Sequence, residues 1–320
     1  MRFGVKLCSE ERSASDLVHD AVRAEQAGFD FAAISDHFHP WIGAQGESPF
    51  VWSVLGGVAA VTDSLEVGTA VTCPTVRMHP AIVSQAAATA ATMLPGRFFL
   101  GVGTGEWLNE HVTGGHWPRP AERREMLREA VEVMRDLWSG EMVTHRGEHY
   151  VVDGAQLYSL PDDPPPVFVA ASGTAAASLA SEIGDGLIGT SPDADMLSTF
   201  RDGADAESRA YAEITVCWSE DAEEGLRTAL ERWPNAAVPG ALNTELALPE
   251  HFEQAASLVR LDDLRGSVVT GPQLDPYVEL VRSYEEAGYD GVWFHQIGVD
   301  QEGFATFAEK ELLPTLSASG

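Results

Sequence analysis

The chain reads as an α/β protein of the (β/α)8, or TIM-barrel, class on three observations. Short apolar runs of strand length alternate with longer helical patterns almost throughout. About eight such units follow one another, more than an open sheet usually holds. Ionisable residues and glycines cluster just past several apolar runs, at the end of a parallel strand where barrels carry their chemistry.

Phe3 to Leu7 is the first strand. Ser15 is expected to cap a helix that runs to Gln26 and stops at Gly28. Phe31 to Ile34 is the second strand, Val51 to Thr62 a helix and Leu65 to Thr72 a strand. Ala81 to Met93 is a small-residue helix, and Pro95-Gly96 turns the chain into the strand Phe98 to Gly101. Arg119 to Trp138 has helical periodicity, with Met126, Ala130, Val133, Met134 and Leu137 on one face. Val143 to Val152 reads as a hairpin turning at Gly147. Val167 to Ala171, Gly186 to Gly189 and Ala212 to Trp218 are strands, with Leu179 to Ile183 in a helix between the first two. Val268 to Thr270 fits a strand or a loop. Tyr277 to Ala287 is a helix, Gly291 to Gln296 the last clear strand and Phe304 to Leu316 the closing helix. Residues 221–265, with Trp233, Pro234, Pro239 and Pro249, break the alternation and are expected to form helical insertions at the C-terminal face of the strands. All 320 residues are expected to form one domain, with Asp162 to Pro166 a stiff connector inside it.

A hydrophobic share of 44% with 22% charged residues is that of an ordinary globule. No apolar run is long enough to span a membrane, and the first residues enter a strand without the three-part pattern of a signal peptide. A cytoplasmic location is expected. Cys8, Cys73 and Cys217 are odd in number and far apart, which argues against a disulfide framework and a structural zinc site, and no metal is expected. The net charge of −29 disfavours nucleic acid and anionic membranes as partners. Lys6 and Lys310 are the only lysines. An anionic ligand therefore needs a local cationic or helix-dipole site.

Two segments concentrate the chemistry. Ser35-Asp36-His37-Phe38-His39-Pro40-Trp41 follows the second strand, and Gly101-Val102-Gly103-Thr104-Gly105-Glu106 follows the fourth β-like run. A histidine beside an aspartate can move a proton near neutral pH. On the tripeptide alone, a capping aspartate with ordinary loop histidines is the commoner reading. Glu106 is either an acid–base group tuned by partial burial or a helix-start glutamate favoured by the dipole. The Gly-x-Gly pattern is not a dinucleotide fingerprint, because the later glycine spacing fails. It suits a flat ring lying close to the backbone. Trp41 either walls a site or packs in a core. Ser172-Gly173-Thr174-Ala175-Ala176 ends a strand and opens a helix, which is an anion site or simply a good helix start.

In combination these segments resemble the luciferase-like superfamily, in the branch that uses the deazaflavin coenzyme F420. They are most similar to the F420-dependent glucose-6-phosphate dehydrogenase group. The resemblance covers Phe3 to about Ser191 and resumes from about Val268. Its most specific parts are Ser35 to Trp41, Gly101 to Glu110, Gly184-Asp185-Gly186 with Thr190-Ser191, and Phe294-His295-Gln296 through Asp300-Gln301. It implies hydride transfer between F420 and a small-molecule substrate. Asp36 would contact the ring, His37 and Glu106 would be the acid–base pair, and Trp41 would steady the transition state. Ala70-Val71 would sit at a strand bulge behind the ring, in a place where the family often has a non-proline cis peptide. Cys73 stands where the group has a ring-contacting threonine. Thr104, Gly105, Asn109, Ser172, Gly173, Ala175 and Ala176 would hold the ring, ribityl chain and phosphate. A homodimer is implied as well, and the apolar helices at 50–60 and 81–93 either form its interface or pack on the barrel.

The departures concern the substrate. The group places a phosphate-binding lysine just after the Thr-Ser that matches Thr190-Ser191, and here that place holds Asp193. Its second such lysine has no counterpart, and its arginine falls near Arg265 or Gly266. Thr190 and Asp193 would then face a neutral or cationic polar substrate, such as an alcohol, a sugar or an amino-sugar, rather than glucose 6-phosphate. Two other expectations stand beside this one: an FMN-dependent luciferase-like monooxygenase, and a non-catalytic flavin- or deazaflavin-binding homologue.

Overall fold

The computed structural model describes residues 1–238 and 240–319, so the expectation for Pro239 lies outside the described residues. Among the described residues there are eleven strands: β1 (Arg2–Leu7), β2 (Phe31–Ile34), β3 (Glu66–Thr72), β4 (Phe98–Val102), β5 (Val143–Arg146), β6 (Val151–Ala155), β7 (Val167–Ala170), β8 (Gly186–Gly189), β9 (Arg209–Cys217), β10 (Val269–Thr270) and β11 (Gly291–Gln296). Eight of them run parallel in the order β9-β11-β1-β2-β3-β4-β7-β8, and β8 pairs back onto β9 to close the sheet. This is the (β/α)8 barrel that the alternation predicts. The antiparallel β5–β6 pair is the expected hairpin, and the two-residue β10 lies beside Val216 and Cys217 of β9.

Helices of the expected kind return the chain between strands. The first, α1 (Ala14–Ala27), ends on Gly28 in the left-handed region. Its cap is Ser13 rather than Ser15: the Ser13 hydroxyl accepts from the Asp16 N–H at 3.3 Å, while Ser15 is exposed in the first turn. In α2 (Pro120–Trp138) the buried stripe runs through Leu127, Ala130, Val131, Val133, Met134 and Leu137. Met126 stands at its half-buried edge. The strand β9 starts at Arg209, three residues before the predicted start, because its first residues pair with β8 and Tyr211 points into the barrel core. The closing helix is interrupted by a π-turn at Ala308–Leu312.

The barrel interior is plugged by aromatic rings. Phe31, Phe99, Phe168, Tyr211 and Trp293 form one buried cluster with Ile188 and Ala33. Strand glycines make room for it: a Cβ at Gly4 would lie 2.6 Å from the Phe31 ring, and one at Gly68 would fall on the Phe99 ring. A second apolar layer lies between the strands and the surrounding helices, from Leu17 and Ile34 to Phe304 and Leu312. Among the described residues no helix is long and apolar enough to cross a membrane. With the middle of the barrel filled, the polar residues past the strand ends face one another across its C-terminal mouth. The stretch after β9 forms several helices, including α3 (Ala222–Arg232) and α4 (Pro249–Ala256), beside that mouth.

Candidate active site

The loops after β2 and β4 are joined by one side chain. Asn109 Oδ1 accepts from the Phe38 and His39 N–H groups at 2.8 and 3.2 Å, and its Nδ2 donates to Glu106 Oε2 at 3.3 Å. The two segments singled out from the sequence are thus brought together, with His37 and Glu106 on either side of Asn109. His37 is buried. Its Nδ1 donates to the His39 carbonyl at 3.2 Å, and its ring lies 5.1 Å from that of Trp41. Trp41 in turn meets Phe252 of α4 edge-on at 5.0 Å, and the Gly43 N–H donates to Glu253 at 2.8 Å. The helices after β9 therefore hold the His37–Trp41 loop from outside.

Behind His37 stands a carboxylate that the motif reading missed. Glu10, three residues past β1, is fully buried, and its Oε1 lies 3.6 Å from His37 Nε2. Its Oε2 accepts from the Ser35 hydroxyl at 2.5 Å. Burial pushes this carboxyl up. The charges of His37 and Lys6 and the Ser35 hydrogen bond outweigh it and hold Glu10 well below the usual carboxylate range. A proton arriving at His37 Nε2 therefore meets a fixed anion. The criterion that found Glu106, an acid just past an apolar strand, also applies to Glu10. More charge lies deeper. Lys6, buried, pairs with Glu213 at 3.3 Å, and Trp293 Nε1 donates to the other Glu213 oxygen at 3.1 Å.

A second buried charge cluster sits under the β3–β4 side. Asp36 accepts from the Thr72 hydroxyl at 2.7 Å and from Arg77 Nη2 at 2.9 Å. Arg77 also faces Glu110: its backbone N–H donates to Glu110 Oε2 at 2.6 Å, and its Nε lies 3.6 Å from Oε1. Burial pushes the Glu110 carboxyl up to about 7, against the pull of the Arg77 N–H and guanidinium. Neither Arg77 nor Glu110 carries a motif that would single it out, because each is explained only by partners more than thirty residues away.

The strand behind this cluster bulges. The β3–β4 register shifts between Thr69 and Thr72, and the Ala70–Val71 peptide is cis, at the position the resemblance implies. Gly103 and Gly105 pack against the bulge: a Cβ at Gly103 would lie 2.7 Å from Val71, and one at Gly105 2.6 Å from Cys73 Sγ. Gly105 has a φ of +77°, which only glycine adopts readily. Cys73, buried, shares a hydrogen bond with Thr75 Oγ1 at 2.9 Å. Thr104 is half-buried beside Gly105.

Past β7, the helix α5 of the mouth (Thr174–Ile183) starts at Gly173 with no side-chain cap, and Ser172 and Ala175 are exposed, with Ala176 half-buried. Its first N–H groups and its dipole are available to an anion. Past β8, Thr190 is exposed and its carbonyl accepts from Tyr284 at 3.1 Å. Asp193 is the N-cap of the helix Ala194–Gly203, accepting from the Met196 N–H at 2.9 Å. Ser172 to Ala176, Thr190 and Asp193 share the strand-end face with His37 but make no hydrogen bond or ion pair to its loop among the described residues. A bulged floor with a small-residue loop, followed by an uncapped helix start, fits a flat heterocycle that carries a phosphate.

Residues 1–273 match the model of the luciferase-like monooxygenase family, and the chain belongs to that family. Curated relatives of high similarity include F420-dependent dehydrogenases. It is 37% identical, over 99% of its length and 97% of the relative's, to an F420-dependent glucose-6-phosphate dehydrogenase of Nakamurella multipartita. It is 36% identical, over 100% and 99%, to the enzyme of that name from Mycobacterium tuberculosis. Among solved structures, an F420-dependent secondary alcohol dehydrogenase in complex with an F420–acetone adduct superposes with a TM-score of 0.90 at 28% identity, covering 98% of both chains. A coenzyme F420-dependent tetrahydromethanopterin reductase from Methanopyrus kandleri shares the fold, with a TM-score of 0.79 at 21% identity.

Proposed function

We propose that this F420-dependent oxidoreductase exchanges a hydride with a small neutral or cationic polar substrate, an alcohol, a sugar or an amino-sugar, and that glucose 6-phosphate is not its substrate. When bound, F420 supplies the hydride acceptor or donor. The chain's own residues supply alignment and proton handling. His37 takes the substrate hydroxyl proton at Nε2 in the oxidative direction and returns it in the reverse, with Glu10 stabilising the charged ring. Glu106, held by Asn109, is the second proton-carrying group. Trp41, fixed by Phe252, walls the site. Asp36, Ala70, Val71, Cys73, Thr104, Gly105 and Asn109 line the ring side, and Ser172, Gly173, Ala175 and Ala176 receive the phosphate. The oxygenase and the non-catalytic readings are disfavoured by this acid–base arrangement and by the similarity to F420-dependent dehydrogenases.

The observation that carries the substrate reading is the missing phosphate cradle. Asp193 is an acid engaged in capping, and no lysine lies between Lys6 and Lys310. Arg265 is exposed and paired with Glu223 at 2.8 Å. A sugar phosphate would approach the acids Glu10 and Glu213, where Lys6 is already paired with Glu213. The 28%-identical neighbour that acts on a secondary alcohol favours the same class. The names of the curated relatives favour glucose 6-phosphate, and one assay separates the two. Purified protein is titrated with F420, with FMN as control, and then screened for loss of the F420 absorbance. Saturable turnover of neutral alcohols or sugars, with none of glucose 6-phosphate, is expected. Efficient turnover of the sugar phosphate overturns the substrate reading, and preference for FMN overturns the cofactor roles. The exposed Phe50, Ile82 and Met93 make the 50–60 and 81–93 helices our choice for a homodimer face, which light scattering checks.

A further inference from the structure

We infer that Cys8, Glu11 and His295 form a binding site for one divalent transition-metal ion, zinc by the chemistry of its donors. Strand β1 pairs with β11 in a register that sets Val5 beside Phe294. Cys8, just past β1, and His295, near the end of β11, are therefore neighbours although they come from opposite ends of the chain. The Cys8 thiol, one Glu11 carboxylate oxygen and one His295 ring nitrogen all lie within 4.8 Å of one another, and all three residues are buried. Among the described residues this is the one such cluster. Spacing along the sequence argues against zinc here only because the ligands are joined by the fold rather than by a loop.

The imidazole lacks a hydrogen-bond partner. Both ring nitrogens of His295 are buried without a hydrogen bond, Nδ1 facing Glu213 Oε1 at 3.6 Å, and His295 is 0% exposed. Glu11 Oε1 is likewise without a hydrogen bond. Buried polar atoms are rarely left so, since each loses its bonds to water without replacement. The other Glu11 oxygen is steadied by the Gly298 N–H at 3.1 Å, the kind of outer contact that orients a ligand. The Cys8 thiol points at Glu10 Oε2 at 3.3 Å and at Glu11 Oε2 at 3.9 Å.

Charge points the same way. Glu10, Glu11 and Glu213 are three carboxylates against one buried lysine, and Lys6 is already engaged by Glu213 and by the Trp233 ring 5.1 Å away. A sulfur, nitrogen and oxygen set excludes magnesium and calcium, which take oxygen ligands, and suits zinc. Tetrahedral zinc needs donors roughly 3.3–3.6 Å apart, a closure of about 1 Å that rotamer shifts supply. The fourth position falls to water.

The test reads metal and not activity, so it stands or falls apart from the substrate and cofactor roles. Tag-free protein is stripped with chelator, reloaded with zinc or cobalt(II) alone, and dialysed. Elemental analysis is expected to give one ion per chain. The cobalt form is expected to show a thiolate-to-metal charge-transfer band and the intense visible bands of tetrahedral cobalt. Cys8→Ser should abolish the charge-transfer band. Glu11→Gln and His295→Gln should weaken binding at least about tenfold, and Cys217→Ser, at a buried thiol of the same apolar cluster but outside the donor group, should leave the charge-transfer band in place. Circular dichroism checks that the variants fold. Less than stoichiometric ion in the wild type, or a charge-transfer band that survives Cys8→Ser, overturns the site. The wild-type cobalt spectrum decides even where a variant fails to fold.

Discussion

On the β1–β4 side of the barrel mouth, Glu10, Asp36, His37, Arg77 and Asn109 are buried or nearly so and bonded to one another across loops. On the β7–β8 side, Ser172, Ala175, Thr190 and Asp193 are exposed and bonded only to the structure behind them. On the function proposed above, the first half would hold the proton-carrying groups in place before any ligand arrives, and the second would offer backbone N–H groups to a ligand's phosphate. Mutually bonded polar groups are thus concentrated in one half of the mouth and exposed ones in the other.

The comparison breaks most sharply at His37. His37→Asn should lower turnover by about 10²–10⁴-fold while leaving F420 affinity close to wild type, read by single-turnover absorbance and by fluorescence quenching. Equal loss of binding and turnover would make His37 a structural residue instead. Arg77→Met should leave Asp36 and Glu110 as buried, uncompensated acids and cost about 3–5 kcal/mol in urea denaturation, with the β7–β8 loops unaffected.

The pH dependence of stability sharpens the contrast further. Glu110 is raised in the fold from 4.5 to about 7. Its stabilising contribution is therefore full below its unfolded value and is lost as pH rises through about 7. The wild-type urea midpoint should fall between about pH 5 and pH 8 by an amount worth up to about 3 kcal/mol, and Glu110→Gln should flatten that fall. The smallest effect belongs to the open half. Asp193→Ala should cost about 1 kcal/mol and Asp193→Asn far less, since asparagine caps as well. Neither should open the enzyme to glucose 6-phosphate. A gain of that activity in Asp193→Asn would show that one charge alone had excluded it.

The barrel was legible because each strand is a contiguous apolar run ending in a turn, and Phe31–Ile34, Gly186–Gly189 and Gly291–Gln296 match to the residue. Boundaries slipped where tertiary pairing decides them, as at Arg209, or where two serines compete for one cap, as at Ser13 and Ser15. The site was legible where its residues are close in sequence. Asp36, His37 and Trp41 share one loop, and Glu106 and Asn109 one turn. Glu10 was within reach, since it follows β1 as Glu106 follows β4, but it lacks a histidine or glycine pattern to mark it. Arg77 and Glu213 owe their significance to partners on other elements, and periodicity carries no record of such pairs.

The scarcity of lysine has a practical side. Of the two side-chain amines, Lys310 is exposed on the closing helix and Lys6 is sealed inside the barrel by Glu213 and Trp233. A mild acylating reagent should therefore mark folded molecules at Lys310 and at the chain's leading amine, and leave Lys6 untouched. Acylated Lys6, counted by mass spectrometry, then becomes a built-in gauge of how often the barrel opens, with Lys310 as the internal standard on the same chain.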